Sequence, residues 1–333
     1  MMKNKTIVSM LAALMALPFF AASSFAQAQV SGEVREQISG VQRAIKEKGA
    51  KWVAGETSVS GLSREDWQYL VGFNFEPITA KPAPIADRGQ IPAAIDWRNA
   101  NGNFVTAPRN QKKCGSCWAF AMTAGLEAYI LRRDNTPGVD LDLSEQVMIS
   151  CSGAGSCNGG RLNANYVRKT GLPLETAYPY TATNGTCAAA APNWQTASYK
   201  VDDWGSVGQK LSLIKSALVA YGPLPTAFMV YEDFMHYKSG IYSYTTGKLL
   251  GGHAVLLVGY NDAEQYFIVK NSWDKGWGED GFFRIAYSEM DNSVKFGLST
   301  IAYYSGKREA ARTDGYEAAW GRVAPMFDNI TWN

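Results

Sequence analysis

Five side chains in this sequence have types and spacing that could carry out chemistry together. Cys117 ends the run "QKKCGSC" and is followed by Trp118 at the start of a helical apolar pattern. A thiol attacks as the thiolate, and a helix N-terminus favours that negative charge. A proton acceptor must then sit beside the sulfur, and the chain has only two histidines, His236 and His253. His253 follows Gly251 and Gly252 and opens the apolar run "HAVLLVGY", which gives its ring a rigid base. Asn271, in "YFIVKNSWDKGWG", can accept from the other ring nitrogen, and Trp273 can keep water from that bond. Gln111, six residues before Cys117, offers an amide donor that could hold an oxyanion together with the Cys117 main-chain N–H. The chemistry these groups share is nucleophilic attack on a carbonyl.

The elements that must position them follow from patterning. Apolar and small residues at helical spacing predict a helix from Trp118 to Arg133, stopped by Asn135, Pro137 and Gly138. Ser144 is placed to cap a second helix over "LSEQVMIS", and a third is expected over residues 206–221 before Gly222-Pro223. After residue 224 the texture changes to short β-branched and aromatic runs separated by glycine, the pattern of antiparallel strands. Helices first and strands second predict an α+β fold with two lobes. A helical pattern around 34–48 precedes the proline-rich stretch "EPITAKPAPIADRGQIP", which reads as an extended linker with a domain boundary near residue 90.

The first residues read as a secretory signal. Lys3 and Lys5 precede a nearly wholly apolar run from Ile7 to Ala22, and Ser23–Ala28 offers a small-x-small cleavage pattern, giving a signal peptide over 1–28 and a secreted or periplasmic protein. A formal charge of +2 gives no electrostatic case for nucleic acid or an anionic membrane. Five cysteines (Cys114, Cys117, Cys151, Cys157, Cys187) in an oxidising compartment leave one unpaired, and four paired ones allow three connectivities.

Other readings of the cysteines are a thiol–disulfide pair Cys114–Cys117, a zinc site from Cys114, Cys117, Cys151 and Cys157, and a peptide-binding protein without catalysis. The first lacks a βαβ setting and leaves His253 and Asn271 idle. The second is disfavoured by an oxidising compartment. The third is at odds with the presence of all four catalytic residue types.

The segments "QKKCGSCWAF", "CNGG", "GGHAVLLVGY" and "KNSWDKGWGEDGFFRI", in this order, resemble the papain family of cysteine peptidases, with His253 lying 136 residues after Cys117. The likeness runs from about Ile91 to Tyr303. It implies a helical lobe and a β-barrel-like lobe with the site between them. It also implies Cys117 as nucleophile, His253 as base and acid, Asn271 as its orienter and Gln111 as oxyanion donor. Gly159 and Gly160 would pair with the substrate main chain. Leu162, Ala227, Ala254 and Ile301 would form an apolar pocket for P2, the second residue before the cut, so Leu, Val or Phe is expected there and Arg disfavoured. By the same resemblance the disulfides are Cys114–Cys157 and Cys151–Cys187. Asp274 stands where the family usually has glycine, and Gly276 is expected to preserve that turn.

The resulting expectation is a zymogen that hydrolyses protein or peptide substrates through an acyl-enzyme, with no cofactor and no metal. Residues 29–90 form an inhibitory propeptide of the short cathepsin B type, whose helix, "WVAGETSVSGLSREDWQYLVG" and extended proline linker together suit a segment laid through a groove. Residues 91–303 form the peptidase domain, and 304–333 a C-terminal extension. A monomeric endopeptidase is expected, because no histidine-bearing insertion stands between Cys157 and Cys187 to capture a substrate C-terminus.

Overall fold

A computed structural model describes residues 31–85 and 91–305. The signal segment, residues 86–90 and nearly all of the C-terminal extension lie outside the described residues. The N-terminal region, expected to be the propeptide, begins with α1 (Gly32–Lys48), β1 (Lys51–Ala54) and α2 (Arg64–Trp67). Ser31 accepts from the Val34 amide at 3.2 Å to start α1, and Gly49 at φ 63° ends it. The helical lobe contains β2 (Ala94–Asp96) at its border, α3 (Cys117–Asp134), α4 (Glu145–Cys151), β3 (Gly155–Ser156), β4 (Gly159–Gly160) and α5 (Asn165–Lys169). The sheet lobe follows with β5 (Asp203–Val207), α6 (Leu211–Tyr221), β6 (Leu224–Tyr231), β7 (Tyr237–Tyr242), β8 (Leu249–Asn261), β9 (Tyr266–Lys270), β10 (Phe282–Ala286) and β11 (Ser299–Tyr304).

The sheet runs β1-β7-β10-β9-β8-β6-β11-β5, with β2 added to β8. It is an α+β fold, but the hydrogen-bonded path does not close into a barrel, and the β7–β10 pair is parallel. The N-terminal region occupies both ends of the path. β1 pairs antiparallel with β7, and the linker pairs with β5, where Ala83 N donates to Ser206 O at 2.9 Å and Ser206 N to Lys81 O at 3.0 Å. The proline linker therefore does take part in a ladder, because at a sheet edge the missing N–H of Pro82 is turned away from the partner. Residues 206–210 are not helical as the sequence pattern suggests. Ser206 and Val207 belong to β5, and apolar residues recur at helical spacing only from Leu211.

α3 joins the lobes. Nearly every residue from Cys117 to Leu131 is buried, so this helix has no solvent face to make it amphipathic. Its small residues let the sheet approach closely: a Cβ on Gly125 would lie 2.7 Å from Pro225 Cγ and 3.2 Å from the Tyr303 ring. A polar link also crosses the interface. Lys270 on β9 donates to Thr106 Oγ1 at 2.8 Å, and that hydroxyl donates to buried Glu127 of α3 at 2.5 Å. Gly125→Val should force the lobes apart and lower stability by about 1–3 kcal/mol, the usual cost of overpacking a full core. Denaturant unfolding measures it, and an unchanged midpoint would contradict this packing.

Candidate active site

Ser116 holds the N-cap position of α3, but its side chain does not cap the helix. Its hydroxyl lies 2.8 Å from Tyr180 Oη instead. Ala119 N donates to Ser116 O at 2.8 Å, so it is the Cys117 and Trp118 amides that receive no helical acceptor and no side-chain cap, beside the sulfur of Cys117, the one free cysteine, which is fully buried. Sγ accepts from Ala254 N on β8 at 3.5 Å, so the two lobes meet at this atom. The other four cysteines form Cys114–Cys157 and Cys151–Cys187. The first disulfide fastens the loop before α3 to the loop carrying Gly159 and Gly160, and it removes Cys114 as a redox partner for Cys117.

His253 is carried by β8 next to Ala254. Its Nε2 lies 2.7 Å from Asn271 Oδ1, and the same oxygen accepts from Ser272 N at 2.8 Å. That second bond fixes the amide so that its oxygen faces the ring, which makes Nε2 the protonated nitrogen and Nδ1 the acceptor. Nδ1 is buried without a hydrogen-bond partner. Trp273 covers the imidazole at 4.7 Å between ring centroids and is itself packed edge-on to Trp277. Gln111 is buried, and its Oε1 accepts from Ser272 Oγ at 2.7 Å. Its Nε2 donates to Cys114 O at 3.0 Å and also reaches Tyr69 O and Leu70 O at 3.3 and 3.4 Å. Ser272 is a contributor that sequence reading passed over, although it sits inside the quoted "NSW".

The segment across this site is Tyr69–Phe75, the end of "WVAGETSVSGLSREDWQYLVG" and the residues that lead into the proline linker. Phe73 N donates to Gly252 O at 2.9 Å, Gly160 N to Gly72 O at 2.9 Å, and Asn74 N to Gly160 O at 2.8 Å. Phe73 pairs parallel with Gly160 and antiparallel with Gly252, so one strand-like segment bridges both lobes. Gly72 is required by closeness: a Cβ there would lie 2.0 Å from Gly115 O. Phe75 lies over Gly252, and Arg161 pairs with Glu76 at 2.7 Å. His236 does not approach the cleft. It is buried under the proregion, with Nδ1 3.0 Å from Ser60 Oγ and its ring edge-on to Trp67.

Of the expected pocket residues, Ala227 and Ala254 are directly opposed on β6 and β8, and Ser299 of β11 opposes Ala227. Ile301, two residues along β11, shares their face of the sheet and is buried. Leu162 is buried on the helical lobe just after β4. Gly276 does not make the turn after Trp273. Asp274 itself adopts φ 57°, with Oδ1 accepting from Gly276 N at 2.5 Å and Oδ2 from Asn110 Nδ2 at 2.8 Å. Aspartate tolerates this conformation because its side chain closes the turn.

With the proregion in place the electrostatics oppose reaction. Burial pushes the Cys117 thiol up to about 11, against the opposing pull of the Ala254, Gly72 and Trp118 backbones. Burial pushes His253 down to about 4, against the opposing effect of Asn271. Both groups are therefore neutral near pH 7.

Residues 91–304 match the family described as Papain family cysteine protease. The chain belongs to this family. It is 35% identical over 260 residues to "Cathepsin B-like CP3" of Giardia intestinalis, spanning 72% of this chain and 86% of that one. It is 40% identical over 211 residues to "Cathepsin L-like proteinase" of Fasciola hepatica, spanning 60% and 62%. The structure of digestive procathepsin L2 proteinase from Tenebrio molitor larval midgut superposes with a TM-score of 0.71 at 26% identity, covering 84% of this chain and 96% of that one. The chain is a papain-family cysteine peptidase in its proform.

Thiol alkylation tests the covered state. At pH 7 a thiol of pKa about 11 is ionised to the order of one part in ten thousand. Because the proform pKa is raised, its reaction with iodoacetamide should climb about tenfold per pH unit up to about pH 10, whereas the processed enzyme should react fast at neutrality. Gly72→Ala in the proform should raise the neutral-pH rate at least tenfold by lifting the segment off Gly115. Equal rates for proform and processed enzyme at pH 7 would contradict the account.

Proposed function

We propose that the protein is a secreted or periplasmic cysteine endopeptidase, made with residues 29–90 as an inhibitory propeptide and 304–333 as an extension beyond the catalytic domain. The observation that carries this reading is the convergence on one sulfur. The uncapped start of α3 and the Ala254 amide meet at Cys117, beside a histidine held by Asn271. Cys117 gives its proton to His253 Nδ1, and the sulfur attacks the carbonyl carbon of the scissile bond. The carbonyl electron pair moves to oxygen, where Gln111 Nε2 and the Cys117 N–H receive it. Collapse breaks the C–N bond, and His253 protonates the departing amine. Water, deprotonated by His253, then releases the acyl group and restores the thiol.

Support for the propeptide comes from its path. Tyr69 O and Leu70 O take up the Gln111 amide, and the main chain of residues 72–74 occupies the groups of Gly160 and Gly252 that a substrate strand would use. Phe73 and Phe75 lie against the cleft edge-on to one another at 4.9 Å. An apolar P2 preference fits Ala227, Ala254 and Ile301 on one sheet face, and the Arg161 guanidinium at the rim adds like-charge repulsion toward Arg. Two disulfides fit an oxidising compartment, and among the described residues no helix is long and apolar enough to cross a membrane. Endopeptidase action fits the histidine count: His253 belongs to the catalytic group, and His236, on the turn before β7, stands away from the cleft where a substrate C-terminus would lie.

The test compares processed wild type with Cys117→Ala on internally quenched peptides blocked at both ends. The wild type should cut internally and favour Leu over Arg at P2 by at least tenfold, since burying a Leu side chain is worth roughly 1.5–3 kcal/mol while a guanidinium would be desolvated unpaired. Cys117→Ala should fold and be inactive. A folded Cys117→Ala that still cleaves would overturn the mechanism, and faster cleavage at Arg would overturn the pocket.

A further inference from the structure

The two groups proposed to hold the oxyanion sit on different stretches of chain. Gln111 lies in the loop before the Cys114–Cys157 disulfide, and Cys117 begins α3. Something must fix their separation, because an oxyanion hole works only when both donors reach one point. Ser272 fixes the Gln111 side chain through Oε1 and its main chain through the 2.9 Å bond from Gln111 N to Ser272 O. Neither bond ties Gln111 to the start of α3, and the link through Cys114 O, which accepts from Gln111 Nε2 at 3.0 Å and from Ser116 N at 2.7 Å, uses the very donor the oxyanion needs, so a tie through the main chain is required.

Tyr180 makes that tie. Its hydroxyl lies 2.7 Å from Gln111 O and 2.8 Å from Ser116 Oγ. A carbonyl oxygen can only accept, so the single phenolic proton goes to Gln111 O, and Ser116 Oγ must donate to the phenolic oxygen. The chain of bonds is therefore Ser116 to Tyr180 to Gln111. The missing cap on α3 has the same origin, because the Ser116 hydroxyl is turned toward Tyr180 and Cys114 O, 2.8 and 3.4 Å away, rather than toward the first-turn amides. The ring is held in place by Phe120 in the first turn of α3, edge-on at 4.9 Å, and the Tyr180 main chain by its amide bond to Glu175 Oε1 at 2.5 Å. Burial raises the phenol above its ordinary range, which keeps its proton in place to donate.

We infer that Tyr180 is a positioning residue that sets the distance between the two oxyanion donors by clamping Gln111 to the residue preceding the nucleophile. The inference rests on the cysteine-peptidase reading above. It makes Tyr180 matter when charge develops on the substrate oxygen, and not when the sulfur merely displaces a leaving group.

Two probes separate those situations in the processed enzyme. A peptide aldehyde with Leu next to its terminal carbonyl residue takes the sulfur at its carbonyl carbon: a C–S bond forms, the C=O pair moves to oxygen, and the proton released by the thiol ends on the adduct or on His253. Iodoacetamide alkylates the same sulfur by expelling iodide and builds no oxyanion. Tyr180→Phe keeps the ring on Phe120 and removes only the hydroxyl. It should lower kcat about tenfold and weaken aldehyde binding about tenfold, less than the hundredfold or more of deleting an oxyanion donor outright. KM and the iodoacetamide rate should stay within about twofold of wild type. Ser116→Ala, which cuts the other link, should give the same split and serves if Tyr180→Phe does not fold. The inference is overturned if kcat and aldehyde affinity are unchanged, or if the alkylation rate falls as much as kcat. A wild-type enzyme without peptidase activity would overturn the cysteine-peptidase reading itself, whereas an active wild type with an indifferent Tyr180→Phe would overturn only this inference.

Discussion

The Cys117 and Trp118 amides that open α3 have no helical acceptor, since the backbone bonds of this helix begin with Ala119 N to Ser116 O, and the residue in capping position turns its hydroxyl elsewhere. An uncapped helix end buried between two lobes must satisfy those donors with something brought to it. In the proform the Cys117 sulfur lies there, with Ala254 reaching it from the sheet lobe. In the proposed reaction a substrate oxyanion takes its turn. Burial of α3 on all sides, Gly125 under Pro225 and Tyr303, and the Lys270–Thr106–Glu127 link keep this helix end aligned against β8, where His253 stands.

The same burial that makes the site effective makes it easy to silence. Covering Cys117 and His253 with Tyr69–Phe75 withdraws water from both, raising the thiol and lowering the imidazole, so the proton stays on sulfur. The covering segment uses main-chain bonds to Gly160 and Gly252, which demand no particular side chains, and a glycine that fits against Gly115. β1 and Lys81–Ala83 anchor it at the two ends of the sheet, and Trp67 and Ser60 hold it over His236.

What was legible in the sequence is what chemistry and local pattern impose. Cys117, His253, Asn271 and Gln111 stand out because their types serve one reaction and their motifs fall in order, and α3 is readable from its spacing. The structure corrects readings where a tertiary partner decides. Ser206 joins a strand because β11 pairs with it at Ile301, with Lys81 and Ala83 adding bonds at its other edge. Asp274 takes the left-handed turn itself, closing it with its own carboxylate. Which residues of the covering region cross the cleft is set by bonds to Gly160 and Gly252, about 90 and 180 residues away, so no local pattern singles out "YLVGFNF". Tyr180 is 69 residues from Gln111 and belongs to no chemical motif, so only the fold brings its hydroxyl to the carbonyl.

The central claim is that Cys117, once uncovered, carries the acyl group. Rapid-quench mass spectrometry of the processed enzyme mixed with an activated ester of a blocked Leu-Gly dipeptide tests it directly. The account predicts a transient mass increase equal to the acyl group, mapped to the peptide containing Cys117 and lost on the timescale of turnover. Turnover without any adduct, or an adduct on another residue, would contradict it.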